Sequence, residues 1–154
     1  MDISQIQNNI IEEFEVFDDW MDKYNYLIDL GKDLPLVDPR FKTKDYLIEG
    51  CQSKVWLYPE FNGSVLTFKA DSDAIITRGI VSLLIRVLSG RTPQEIISAD
   101  LFFIDRIGLR QNLSPTRSNG LLSMIKQMKL YALAFQTRME KNQQSSHFQD
   151  GKKY

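Results

Sequence analysis

The sequence predicts an α+β fold: a small three-stranded antiparallel sheet covered by helices, in the order helix, helix, strands, helices. Three observations predict it. Apolar residues recur at helical spacing over residues 1–30, the period shortens to two between residues 55 and 70, and helical spacing returns from residue 76 onward. With 154 residues, 43% of them hydrophobic, one core is expected without a metal or disulfide staple.

Ile3, Ile6, Ile10, Phe14 and Phe17 mark a first amphipathic helix; Trp20, Tyr24, Leu27 and Leu30 mark a second, with Gly31 as its expected C-cap. Leu34-Pro35-Leu36 and Asp38-Pro39 then force an extended connector, because proline disfavours helix at the residue before it. Tyr46-Leu47-Ile48 is expected to add a short strand. Val55 to Glu60 and Val65 to Ala70, alternating on either side of Asn62-Gly63, read as a β-hairpin. Asp71-Ser72-Asp73 closes it and offers N-cap chemistry for the helix marked by Ile76, Ile80, Leu83, Leu84, Val87 and Leu88. That helix is apolar around most of its surface, so it is expected at the centre of the core.

Thr92-Pro93-Gln94-Glu95 carries a capping box with proline at the first helical position and starts a short helix, followed by a turn or two between Asp100 and Ile107. Ser114-Pro115 opens the last long helix, whose core face is expected to be Leu121, Leu122, Ile125, Met128, Leu130, Leu133 and Ala134, ending near Phe135. Residues 1–136 form the predicted single domain. Residues 137–154, rich in Gln, Ser, Lys and Asn, read as a disordered C-terminal tail that holds the one histidine, His147.

Composition removes several function classes. A net charge of −1 without a basic cluster lacks the electrostatic footprint of a nucleic-acid binder. Met1-Asp2-Ile3-Ser4-Gln5 is not a leader, and the most apolar stretch, Ile80 to Leu88, is interrupted by Arg86, so no membrane association and a cytoplasmic location are expected. Eight of the 20 acids but only one of the 19 bases fall within residues 1–30. This reads either as a solvated helical face or as a docking face for a basic partner or the chain's own basic half. Gly79 and Gly90 are isolated, so no phosphate-cradling loop is present, and no cofactor or metal site is expected.

One chemical group remains, the only cysteine, in Gly50-Cys51-Gln52-Ser53-Lys54-Val55-Trp56. A lone cysteine is either a small buried hydrophobe or a nucleophile in use. The preceding glycine permits unusual backbone angles, and Gln52, Ser53 and Lys54 are polar neighbours that suit a presented thiol, whose thiolate Lys54 could favour. Asp71 and Asp73 read as caps of the central helix or as part of the surface around Cys51. Arg117, in the first turn of a helix where a cation is not favoured, reads as paired with a carboxylate or as a partner contact. Trp20 and Trp56 read as core.

Gly50 to Trp56, Asp71-Ser72-Asp73-Ala74 with Arg78-Gly79, and Leu113-Ser114-Pro115-Thr116-Arg117-Ser118-Asn119-Gly120 together resemble the SufE family of cysteine desulfuration proteins, in order and in spacing. The resemblance spans roughly residues 1–136 and includes Asp19-Trp20 and Leu30-Gly31. It implies a sulfur acceptor and activator of a SufS-type or CsdA-type cysteine desulfurase, with Cys51 as acceptor and sulfur passed on to a SufBCD-type scaffold for iron–sulfur cluster assembly. Gly50, Gln52, Ser53, Asp71, Asp73 and Arg117 are the implied loop-supporting or partner-docking residues. Pyridoxal phosphate is implied in the partner, not here. Lys54 departs from the glutamine frequent in the family, and the tail is longer than the family core. Two alternatives stand beside this reading: a non-catalytic interaction module, and an IscU-like cluster scaffold, which needs about three cysteines where this chain has one.

Overall fold

In the computed structural model, which describes the backbone of residues 1–152 and the side chains of residues 1–143, helices surround one antiparallel hairpin. Helix α1 (Ile3–Glu15) starts at a capping box in which the Asp2 carboxylate accepts the Gln5 N–H and the Gln5 side chain accepts the Asp2 N–H, both at 2.8 Å. It buries Ile10, Ile11 and Phe14. Helix α2 (Trp20–Gly31) is capped by Asp19, whose side chain accepts the Asp22 N–H.

Gly31 is not the C-cap expected of it. It lies inside α2 because helix α3 (Ile75–Leu88) crosses there: a Cβ at Gly31 would sit 2.7 Å from the Gly79 nitrogen, and one at Gly79 only 2.1 Å from the Leu27 carbonyl oxygen. Two glycines thus bring two helix backbones into contact. The prediction for α3 holds, since Ile76, Ile80, Val81, Leu83, Leu84, Val87 and Leu88 are all buried.

The sheet has two strands, β1 (Val55–Phe61) and β2 (Leu66–Ser72), paired from Val55 with Ser72 to Phe61 with Leu66. The Asn62 side chain accepts the N–H groups of Ser64 and Val65 and shapes the turn. Val55 and Leu57 face the core with Leu66, Phe68 and Ala70. The expected third strand at Tyr46-Leu47-Ile48 does not form. Lys44–Tyr46 is a 3₁₀ turn instead, and Leu47 makes a single antiparallel bridge to Trp56 before the chain turns at Gly50. On the other edge Leu36 bridges Ala70, so both edges of the hairpin are covered by connector backbone.

Helix α4 (Pro93–Ser98) carries the predicted Thr92/Glu95 capping box, and the short helices α5 (Phe103–Arg106) and α6 (Leu109–Asn112) follow. The fully buried Gln7 ties α1 to this region: its amide donates to the Asp100 carbonyl at 3.0 Å and accepts the Phe103 N–H at 3.1 Å.

Helix α7 (Pro115–Lys152) departs from expectation in two ways. Its core face is Leu121, Met124, Met128 and Ala132, while Leu122, Leu130 and Leu133 are about half exposed. Its expected end at Phe135 is also passed, because no glycine or proline occurs between Gly120 and Gly151 and the intervening Gln, Arg, Met, Glu and Lys favour helix. From Thr137 to Gln143 every side chain except Met139 is exposed; His147 and the rest of the expected tail from residue 144 lie outside the residues whose side chains are described. Among the described residues no helix is long and apolar enough to cross a membrane.

Candidate functional site

Cys51 sits between the Leu47 bridge and the start of β1, in a loop fixed at both ends and open in the middle. At its N-terminal end the Ile48 N–H donates to the Val55 carbonyl at 2.8 Å. Gly50 then adopts a φ of +89°, with Ser123 of α7 directly beneath, so a Cβ there would meet Ser123 Oγ at 2.5 Å. At the C-terminal end the Asp73 carboxylate accepts the Lys54 N–H at 3.0 Å, and Ser72 Oγ donates to the Lys54 carbonyl at 2.7 Å. Gln52 is exposed, Ser53 is half-buried, and neither makes a hydrogen bond within the described residues that would hold the tip.

The thiol points inward. Cys51 Sγ lies 3.6 Å from the Gly120 carbonyl oxygen of α7, over a helix position where a Cβ would approach it to 3.5 Å. Cys51, Gln52, Ser53, Thr77, Gly120 and Met124 enclose a pocket of about 50 Å³, with Arg117 at its edge. That volume is far below what a small-molecule ligand requires, and is enough for one or two atoms beyond the thiol. Burial pushes the Cys51 thiol up, and Lys54, whose side chain is exposed, does not offset it. Burial thus favours the protonated thiol, and the Gly120 carbonyl lies beside it as an acceptor.

The carboxylates take roles other than capping. The N-cap of α3 is Ala74, without a side-chain cap bond, because β2 continues through Asp71 and Ser72 in register with β1. Asp71 is buried and ion-paired with Lys42 and with Arg78, the latter at 3.0 Å. Burial alone would raise its carboxyl; the Lys42 ammonium, the Ser72 N–H and the Arg78 guanidinium outweigh that and hold it below the ordinary value. Lys42 also lies 5.4 Å from the centre of the Trp56 ring, which is half-buried at the hairpin, and Trp20 packs against the core. Arg78 Nε donates to the Ser72 carbonyl at 2.9 Å, so the ion pairs and the base of the Cys51 loop form one connected network.

Arg117 is exposed and has no carboxylate partner among the described residues; its guanidinium is 3.5 Å from the Tyr24 hydroxyl. The fold therefore brings Cys51, Gln52, Ser53 and Arg117 to one pocket, seats Gly50 on Ser123 beside it, and places Asp71 and Asp73 behind the loop. Sequence reasoning missed Thr77, Met124, Ser123 and Lys42. A glycine inside a predicted helix, Gly120, was the available signal, since it marks close backbone approach. The acidic N-terminal face meets the rest of the chain at Glu13, which pairs with Arg86 and accepts from the Tyr26 hydroxyl.

Among the described residues no cluster of three or more His, Cys, Asp or Glu side chains could hold a metal. The solution structure of a hypothetical protein from Thermus thermophilus has the same fold, with a TM-score of 0.70 at 16% identity over 86% of this chain and 96% of that one. An uncharacterized SufE-like protein of Rhizobium etli is 42% identical over 127 residues, 79% of this chain and 86% of the relative. One from Synechocystis is 35% identical over 127 residues, 82% of this chain and 80% of that protein. The chloroplastic/mitochondrial SufE-like protein 1 of Arabidopsis thaliana is 38% identical over 137 residues, 88% of this chain but 37% of that longer protein. Residues 8–132 match the model of the Fe-S metabolism associated domain, SufE, and with that match the chain belongs to the SufE family.

Proposed function

We propose that Cys51 accepts sulfur from the persulfide of a SufS-type or CsdA-type cysteine desulfurase and relays it to a SufBCD-type scaffold, stimulating the desulfurase as it does so. The observation that carries this reading is the placement of the chain's one thiol in a loop anchored at both ends, facing a small pocket of about 50 Å³. In the step, the Cys51 thiolate attacks the outer sulfur of the donor persulfide. A new S–S bond forms, the donor S–S bond breaks, and its electron pair leaves with the donor cysteine as a thiolate. No electrons are gained or lost overall, so the step needs no cofactor in this chain; pyridoxal phosphate belongs to the partner. Cys51 has first to lose its proton, and burial opposes this. Docking that opens the tip of the loop removes that opposition and couples transfer to recognition.

Intact-protein mass spectrometry after one turnover with a SufS-type desulfurase and cysteine tests the proposal. Wild type gains about 32 Da, the mass of one sulfur, at Cys51, and Cys51→Ser gains none. A wild-type protein that stays unmodified beside an active desulfurase refutes it. The half-buried, raised-pKa thiol favours one second reading, a docking module in which Cys51 only packs. That reading requires Cys51→Ala to stimulate the desulfurase as well as wild type does.

A further inference from the structure

We infer that the Thr77 hydroxyl holds the outer sulfur of the Cys51 persulfide, donating a hydrogen bond to it inside the pocket. The inference rests on the relay reading of Cys51 and adds the positioning residue that retains the sulfur between uptake and release.

Thr77 stands in the first turn of α3, three residues before Ile80 on the same side of the helix, and both line the Cys51 pocket. It is only 5% exposed, yet its hydroxyl makes no hydrogen bond among the described residues. A threonine inside a helix commonly donates to the carbonyl one turn back; Thr77 does not, which leaves its proton available. No fully enclosed polar side-chain atom among those residues lacks a partner, so the unpaired hydroxyl must open onto free space. The space that Thr77 lines is the pocket of Cys51.

The other groups around the thiol give this donor its use. Ile80 and Met124 are apolar, and the Gly120 carbonyl, 3.6 Å from Cys51 Sγ, is an acceptor. That wall suits a thiol, which has a proton to donate. A persulfide anion has none, so its outer sulfur is repelled by the carbonyl, and enclosing it without a donor carries the full desolvation cost. Gln52 and Ser53 travel with the loop, and Thr116 and Arg117 are exposed at the rim. Thr77 is the buried donor side chain of the pocket, and it is fixed on a helix whose N-terminal end favours negative charge and has no side-chain cap at Ala74.

The test loads wild type, Thr77→Val and Thr77→Ser with one sulfur from inorganic polysulfide and follows its loss to glutathione by intact mass. In loading, the Cys51 thiolate takes the terminal sulfur and expels the shortened polysulfide; in loss, the glutathione thiolate attacks the outer sulfur and Cys51 leaves as a thiolate with the electron pair of the broken S–S bond. Glutathione reaches the outer sulfur only when it leaves its seat, so loss from Thr77→Val is expected to be about tenfold faster than from wild type, the size of one hydrogen bond to a charged group. Thr77→Ser keeps the hydroxyl and is expected to stay within about twofold of wild type. The denaturation midpoint of Thr77→Val does not fall, because the hydroxyl it removes has no partner in the resting protein. Equal rates in wild type and Thr77→Val overturn the inference, and so does loss from Thr77→Ser as fast as from Thr77→Val, which assigns the effect to packing. A wild-type Cys51 that a SufS-type desulfurase fails to load is a different result, which refutes the relay itself and does not touch the chemically loaded comparison.

Discussion

Two pairs of glycines meet very different neighbours. Gly31 and Gly79 lie where α2 crosses α3, and a Cβ at either would strike backbone, 2.7 Å from the Gly79 nitrogen and 2.1 Å from the Leu27 carbonyl oxygen. Gly50 and Gly120 lie at the candidate site, where a Cβ would meet side chains: Ser123 Oγ at 2.5 Å and Cys51 Sγ at 3.5 Å. Backbone in packed helices cannot yield, whereas a serine hydroxyl can rotate and a loop thiol can turn outward. The same residue type therefore holds the domain together in one place and leaves room for chemistry in the other.

Substitutions separate these two uses. Gly79→Ala is expected to have the largest effect, a loss of about 3 kcal/mol from the denaturation midpoint, because the helices must move apart; its folded fraction still takes sulfur. Gly50→Ala comes next. A residue with a side chain at a φ of +89° costs about 1–2 kcal/mol, and the re-aimed loop slows sulfur uptake more than the stability change explains. In Gly120→Ala the two readouts take opposite signs. Alanine in a helix is favoured over glycine by up to about 1 kcal/mol, and a 3.5 Å contact is ordinary, so the midpoint rises while the filled pocket slows transfer to Cys51. A raised midpoint together with normal transfer in Gly120→Ala would remove the distinction between the pairs.

The smallest expected effect is a pH dependence on the helical side. The Arg86 hydrogen bond, opposed by burial and aided by Tyr26, lowers the Glu13 carboxyl. The stability this adds is present above the unfolded value of about 4.3 and is lost as pH falls through the lower folded one. Glu13→Gln flattens that acid limb of a thermal denaturation series by under about 1 kcal/mol, since the pair is partly exposed. Sulfur uptake at neutral pH is unaffected.

Much of the fold was legible because local patterns coincided with burial. The hairpin around Asn62-Gly63, the all-round apolar α3 and the Thr92 capping box each carry their cause within a few residues. The failures were of another kind. Leu122, Leu130 and Leu133 are as apolar as Leu121, and only the packing of α3 and α4 against α7 decides that Leu121, Met124, Met128 and Ala132 face inward. Asp71 looks like a helix cap until the strand register carries it to Lys42 and Arg78.

By itself the sequence determined the order of elements, the identity of the one nucleophile and the family motifs around it, since periodicity, turn chemistry and composition are properties of neighbouring residues. Tertiary structure alone decided which way the thiol points, that Gly120 receives it, that Gly31 and Gly79 belong to a helix crossing, and that Asp71 and Asp73 hold the loop from behind. Those are contacts between segments tens of residues apart, fixed by the packing of whole helices against the hairpin.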